Sequence, residues 1–129
     1  MAETEHNNII VTKDLIRTFK TMGGEVHACN RISIEVPEKQ MTILRGRSGS
    51  GKTTLINMLG TLDRPTSGLI SFDGQDITKM SDSQRDKLRR TKIGFVFQSV
   101  ALMSNMTALE NVEFGLRIAG YPVKHRLKR

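Results

Sequence analysis

The chain has 129 residues, 37% of them hydrophobic and 5% aromatic, and its 20 Lys and Arg against 13 Asp and Glu leave a formal charge of +7. That length allows one domain at most, and the composition is that of a soluble globular chain, neither disordered nor fibrous. No run reaches the roughly 18 apolar residues of a membrane span, the polar start from Met1 to Asn8 leads to the expectation of no secretory leader, and Cys29 as the single cysteine excludes an internal disulfide or a Cys-rich zinc centre. A lone cysteine suits a reducing compartment, so a cytosolic setting is expected.

The first segment alternates in the manner of antiparallel strands through Ile9 to Val11, Leu15 and Phe19 and meets a Gly23-Gly24 turn. Val26 to Ala28 and then Ile32, Ile34 and Val36 predict a half-buried strand that stops at Pro37. After a turn through Gln40, Met41 to Leu44 is an almost continuous apolar run, as expected of a strand covered on both faces. Gly46 to Thr53 follows directly. From Lys52 to Leu62 the residues Leu55, Ile56, Met58, Leu59 and Leu62 recur at helical spacing, predicting a buried helix ended by Pro65.

Ser67-Gly68 turns into a strand Leu69 to Phe72, and Asp73-Gly74 is a hairpin-type turn. Ser81-Asp82-Ser83-Gln84 fits a capping box that starts a helix running to about Arg90. Its cluster Arg85, Lys87, Arg89, Arg90 and Lys92 reads as a solvated face. Ile93 to Phe97 predicts a second buried strand, ending at Gln98. Thr107 to Glu110 is a second capping box, opening a helix with Leu109, Val112, Leu116 and Ala119 along one face and Gly120 at its end, and Pro122 is placed to start one more. The charge is uneven: residues 1 to 116 hold 15 basic and 13 acidic side chains, whereas Arg117, Lys124, Arg126, Lys128 and Arg129 add five basic ones and no acid. An excess confined to one end argues against a nucleic-acid partner.

Chemistry enters at Gly46-Arg47-Ser48-Gly49-Ser50-Gly51-Lys52-Thr53, a full match to G-x-x-x-x-G-K-[ST]. Chance produces such a match in a chain of this length on the order of a few times in a thousand. The order of elements sharpens it: a strand delivers the loop, glycines let backbone N–H groups turn inward around phosphate oxygens, and a helix points its positive end at the anion. Lys52 would reach the β- and γ-phosphates, and Thr53 would offer its hydroxyl to Mg²⁺.

Taken together, GRSGSGKTTLINMLGTLDRPTSG, ISFDGQDI, LRRTKIGFVFQ and MTALENV resemble the ATP-binding subunit of an ABC transporter, most closely the branch serving lipoprotein-release and macrolide-export permeases. The resemblance implies an α/β fold, a P-loop NTPase core with an N-terminal antiparallel β subdomain, here truncated. Its parts would be the β subdomain over 1–40, the core from P-loop to Q-loop over 41–98, and the start of a helical subdomain over 99–129. The implied cofactors are ATP and Mg²⁺, contacted by Gly46 to Thr53 and Thr54. Phe19 falls where the family stacks an aromatic on adenine, phenylalanine keeping the π face of the usual tyrosine. Gln98 matches the Q-loop glutamine, a contact of Mg²⁺ or the attacking water, so that Lys52 and Gln98 carry the catalytic roles and Thr53 and Gln98 the metal. The segment Val100 to Leu109 would grip a transmembrane permease, and a second ATPase subunit would pair head to tail. The implied location is cytoplasmic, at the inner face of the plasma membrane. Two departures stand out: Lys39-Gln40 replaces the usual Gly-Glu, and Arg47 replaces a proline or small residue inside the loop.

The sequence contains no LSGGQ segment and no strand ending in Asp-Glu, and His6, His27 and His125 lie away from a switch position; after Phe97 the only acids are Glu110 and Glu113. The expectation is therefore nucleotide contact without turnover, from the N-terminal part of a longer ATPase whose parallel sheet lacks flanking strands. Two alternatives stay open on the residues alone: another P-loop nucleotide-binding enzyme, and a non-catalytic fragment that interacts through its basic helix and tail.

Overall fold

The computed structural model describes residues 7–99, 102–122 and 124, and the chain divides after Arg85 into two compact units. In the first unit β1 (Asn8–Thr21) turns at Met22-Gly23 into β2 (Gly24–Ile32), with Thr21 Oγ1 donating to Gly24 O at 2.8 Å across the turn. β2 pairs with the C-terminal half of β1, and β3 (Glu35–Pro37) pairs with its start. β4 (Ser67–Phe72) takes the other edge of β1, and β5 (Gln75–Asp76) adds to β4. Every pairing is antiparallel, as the alternation and the turn residues predict. Asp73 and Gly74 both have positive φ, 50° and 73°, which is the backbone a two-residue hairpin turn demands.

Against this sheet lies α1 (Lys52–Leu59), and the core collects Leu15, Cys29, Leu55, Met58, Ile70 and Ile77. Thr12 is buried among them without penalty: its hydroxyl donates to Ile32 O and accepts from Ile34 N, both at 3.0 Å. The helix is shorter than its apolar spacing suggests. It ends at Gly60 rather than running to Leu62, because Thr61 takes a left-handed φ of 63°, and Ile56 and Leu62 are exposed.

The chain then turns into α2 (Asp82–Thr91), whose capping box forms: Ser81 N donates to Gln84 Oε1 at 2.9 Å and Gln84 N to Ser81 Oγ at 3.4 Å. Arg85 departs from the solvated face expected of its cluster. It is buried, and its Nη2 donates to Thr61 O and Asp63 O, both at 2.6 Å. Carbonyls just past a helix end have no partner within the helix, and Arg85 supplies one.

In the second unit α3 (Ala108–Ile118) follows a complete capping box at Thr107 and Glu110. Hydrogen bonds from the Thr107 backbone N–H and then its hydroxyl hold the Glu110 carboxyl below its ordinary range. Leu109 and Val112, placed along one face of this helix by their spacing, are exposed. The helix proposed after Pro122 lies largely outside the described residues.

The largest departure concerns the two apolar runs. Met41 to Leu44 and Ile93 to Phe97 form no strand; Met41, Ile43, Leu44, Val96 and Phe97 are exposed. A strand gains its backbone hydrogen bonds only from a neighbour, and among the described residues none pairs with either run. In the turn before the first run, Lys39 itself takes the left-handed φ of 60° that a glycine would favour.

This exposure separates two kinds of isoleucine. Ile70→Ala should cost about 2–5 kcal/mol, while Ile43→Ala should stay within about 0.5 kcal/mol; urea denaturation of the two variants checks the difference, and equal losses would mean that Ile43 is buried.

Candidate phosphate-binding site

Ahead of α1 the chain closes into a loop. Ser50 N donates to Arg47 O at 3.2 Å, and Gly49 and Gly51 take φ of 75° and 85°. Leu55 N then donates to Gly51 O at 2.8 Å and begins the helix, whose N-terminus carries no side-chain cap. Unpartnered first-turn N–H groups and the positive end of the helix dipole favour an anion at this point. Lys52 adds a cation there. Its Nζ donates to Gly46 O at 2.8 Å, Arg47 O at 2.7 Å and Ser50 Oγ at 3.2 Å, so the ammonium sits within the loop and draws its carbonyls together.

The loop is backed by β2. A Cβ on Gly51 would stand 2.0 Å from Ala28 O and 3.7 Å from Cys29 Sγ, so glycine is required both by φ and by the approach of the strand. Cys29 Sγ donates weakly to Gly51 O at 3.9 Å, and burial pushes its thiol up, which keeps it a protonated, unreactive support.

β2 also relates the loop to Phe19. Cys29 pairs with Arg17 on β1 and Val26 pairs with Phe19, so the ring lies three residues along β2 from the loop's support, roughly 10 Å. Phe19 is 38% exposed, and the Arg17 guanidinium lies over its ring, 4.4 Å from the centroid. Arg47, Ser48 and Thr53 are exposed and Thr54 is half-buried.

The first unit thus gathers the predicted residues Gly46 to Thr54 and holds Phe19 on the neighbouring strand. Gln98 belongs to the second unit, where it is exposed beside Phe97, whose ring stacks on Phe95 at 5.5 Å between centroids. In the segment that follows, Val100 and Ala101 lie outside the described residues, while Leu102, Met103 and Leu109 are exposed. The Asn111 side chain ties this stretch to α3, accepting from Met103 N at 2.8 Å and donating to Met103 O, Met106 O and Thr107 O. Sequence reasoning passed over Ala28, Cys29, Arg17 and Asp63. Only Arg17 carried a signal, two residues before Phe19 and so on the same face of a strand.

A glycine loop between a backing strand and an uncapped helix, with a lysine folded into it, is the architecture of a P-loop protein. The family model described as ABC transporter matches residues 29–129, and the chain belongs to that family. It is 47% identical to an uncharacterised ABC transporter ATP-binding protein of Thermotoga maritima over 90% of this chain and 50% of that one. It is 46% identical to the macrolide export ATP-binding/permease protein MacB of Syntrophobacter fumaroxidans, over 88% of this chain and 16% of that protein. With the lipoprotein-releasing system ATP-binding protein LolD of Buchnera aphidicola it shares 42% identity over 83% of this chain and 47% of LolD. Among solved structures, the dimeric ABC transporter cassette MJ0796 superposes with a TM-score of 0.85 at 35% identity, covering 92% of this chain and 53% of that one. A second structure of MJ0796 is bound to ADP and Pi. The chain spans about half the length of the cassettes it matches, and the antiparallel sheet with its helices has the ABC ATPase fold.

The two loop glycines should respond differently to substitution. Nothing lies within 4 Å of a Cβ on Gly49, so Gly49→Ala should cost only the left-handed backbone strain of about 1–2 kcal/mol. Gly51→Ala adds the collision with Ala28 O, about 1–3 kcal/mol more. Chemical denaturation of both variants measures the gap; an equal loss would place the strand away from the loop.

Proposed function

We propose that this chain binds MgATP on the loop Gly46 to Thr54 and forms the nucleotide-contacting part of an ATP-binding subunit that energises a membrane transporter. The observation that carries the reading is the Lys52 ammonium held inside the loop by Gly46 O, Arg47 O and Ser50 Oγ. Those contacts are exchangeable. A flexible ammonium can trade neutral carbonyls for β- and γ-phosphate oxygens, which bind it more strongly. The residues present fit the group: Gly49 and Gly51 keep the loop backbone open, the uncapped start of α1 offers N–H groups, and the exposed Thr53 hydroxyl is free in space to meet Mg²⁺.

On this reading Phe19 stacks on the base, Ser48 and Ser50 line the phosphate cradle, and Arg47 adds positive charge at its mouth. Gln98 takes the Q-loop role towards Mg²⁺ or water. The parts are the β subdomain over 1–40, the core over 41–98 and the start of a helical subdomain over 99–129. The exposed Leu102, Met103 and Leu109 follow Gln98 on the segment that would meet a permease, and a second ATPase subunit would face the loop. Among the described residues no helix is long and apolar enough to cross a membrane; we place the subunit in the cytoplasm, at the inner face of the plasma membrane. Bound MgATP supplies the energy of γ-phosphate cleavage to the transporter. This chain alone binds without sustained turnover, since after Phe97 its only acids, Glu110 and Glu113, stand on α3 and offer no strand-end base.

Calorimetric titration tests the reading. Lys52→Ala should weaken MgATP binding about ten- to a hundredfold, the value of a charge-assisted hydrogen bond, with no sustained phosphate release from either protein. Unchanged affinity in the variant, or steady Lys52-dependent hydrolysis by the parent chain, would overturn it.

A further inference from the structure

Phe19 is not an isolated ring. Arg17 lies over it, and the same guanidinium makes a two-pronged contact with Asp63, Nε to Oδ2 and Nη2 to Oδ1, both at 2.9 Å. A bidentate fork fixes the plane of a guanidinium as well as its position. Asp63 is itself held: its backbone carbonyl accepts from the buried Arg85. Thr66 N donates to Ile16 O and Thr66 Oγ1 accepts from Thr18 N, so the loop after α1 is fastened to β1 on both sides of Arg17. The fork is partly shielded, with the Arg17 and Asp63 side chains 24% and 27% exposed. Finally, the β1–β2 ladder shifts register on each side of Arg17, the kind of irregularity that re-aims a side chain.

We propose that Arg17, forked by Asp63, is a positioning residue for base recognition: it covers one face of the Phe19 ring and fixes its plane, leaving the ring's remaining exposed surface as a ready-made platform for a nucleobase. The chain of support runs from Arg85 through Asp63 and Arg17 to Phe19. Three of these contacts are charge-assisted or cation–π, and a phenyl ring on its own would have two torsions to lose on stacking. A ring held in advance loses less when the base arrives, which strengthens the stack without any contact between Arg17 and the nucleotide. This proposal rests on nucleotide binding at the loop and on Phe19 as the base contact.

The discriminating readout is a ratio. Affinities for MgATP and for Mg-tripolyphosphate, which has the phosphates and no base, are measured by calorimetry on the full chain, on Phe19→Ala, and on Arg17→Met and Arg17→Lys, with circular dichroism confirming folded protein. Arg17→Met should lower MgATP affinity about three- to tenfold while leaving tripolyphosphate affinity unchanged, in the direction of Phe19→Ala, given the size of cation–π and stacking contributions. Arg17→Lys, which keeps the charge and loses the fork, should fall between parent and Arg17→Met and guards against loss of the fold. An unchanged ratio in both Arg17 variants overturns the positioning role while nucleotide binding stands. A ratio that rises, with MgATP bound more tightly, means that Arg17 occupies the base's place and likewise overturns it. If the parent chain binds neither compound, the underlying nucleotide reading fails and this one with it.

Discussion

The placement of the glycine loop and α1 in the first unit depends on the approach of the Ala28 carbonyl to Gly51. The strand and the loop stand so close there that a single Cβ would lie 2.0 Å from the oxygen. That contact sets the start of α1, because Gly51 O accepts the first helical hydrogen bond from Leu55 N. It also sets where Lys52 begins, and so how its side chain folds back onto Gly46 O and Arg47 O. The loop is therefore braced by the β1–β2 hairpin. Met41 to Leu44, which delivers the loop in the sequence, is exposed and unpaired in strand terms among the described residues.

The same hairpin carries the Phe19 ring. β1 brings Arg17 opposite Cys29 and Phe19 opposite Val26, so one pair of strands supports the glycine loop at one point and the Phe19 ring, the proposed base contact, roughly 10 Å along. Asp63 closes the arrangement from the far end of α1, its carboxylate on Arg17 and its carbonyl on Arg85. The two ends of α1 are thus tied to the sheet by different chemistry, steric contact at Gly51 and charged hydrogen bonds at Asp63.

Local chemistry was readable from the residues. The hairpins, both capping boxes and the glycine at the end of α3 follow from short-range rules about turns and helix ends, and the loop motif marked the glycine turn that precedes α1. What escaped depends on partners distant in sequence. Ile43 and Val96 have the pattern of doubly covered strands, but coverage is supplied by neighbours, and a pattern does not state whether the neighbours are there. Arg85 looked like one of five surface cations; only the fold reveals that the carbonyls of Thr61 and Asp63 need it. Leu109 and Val112 share a helical face that nothing among the described residues buries. Cys29 and Ala28 had no signal at all, since one acts through its burial and the other through its backbone.

The central claim is that a preformed loop, not the basic helix and tail, is where this chain meets a nucleotide. Backbone amide mapping by two-dimensional NMR during a MgATP titration addresses it directly. The account predicts saturable shifts concentrated on the amides from Gly46 to Thr54, with a second set around Phe19 and Val26. Shifts confined to Lys87, Arg89, Arg90, Lys92 and the C-terminal basic residues, with the loop amides unmoved, would contradict it.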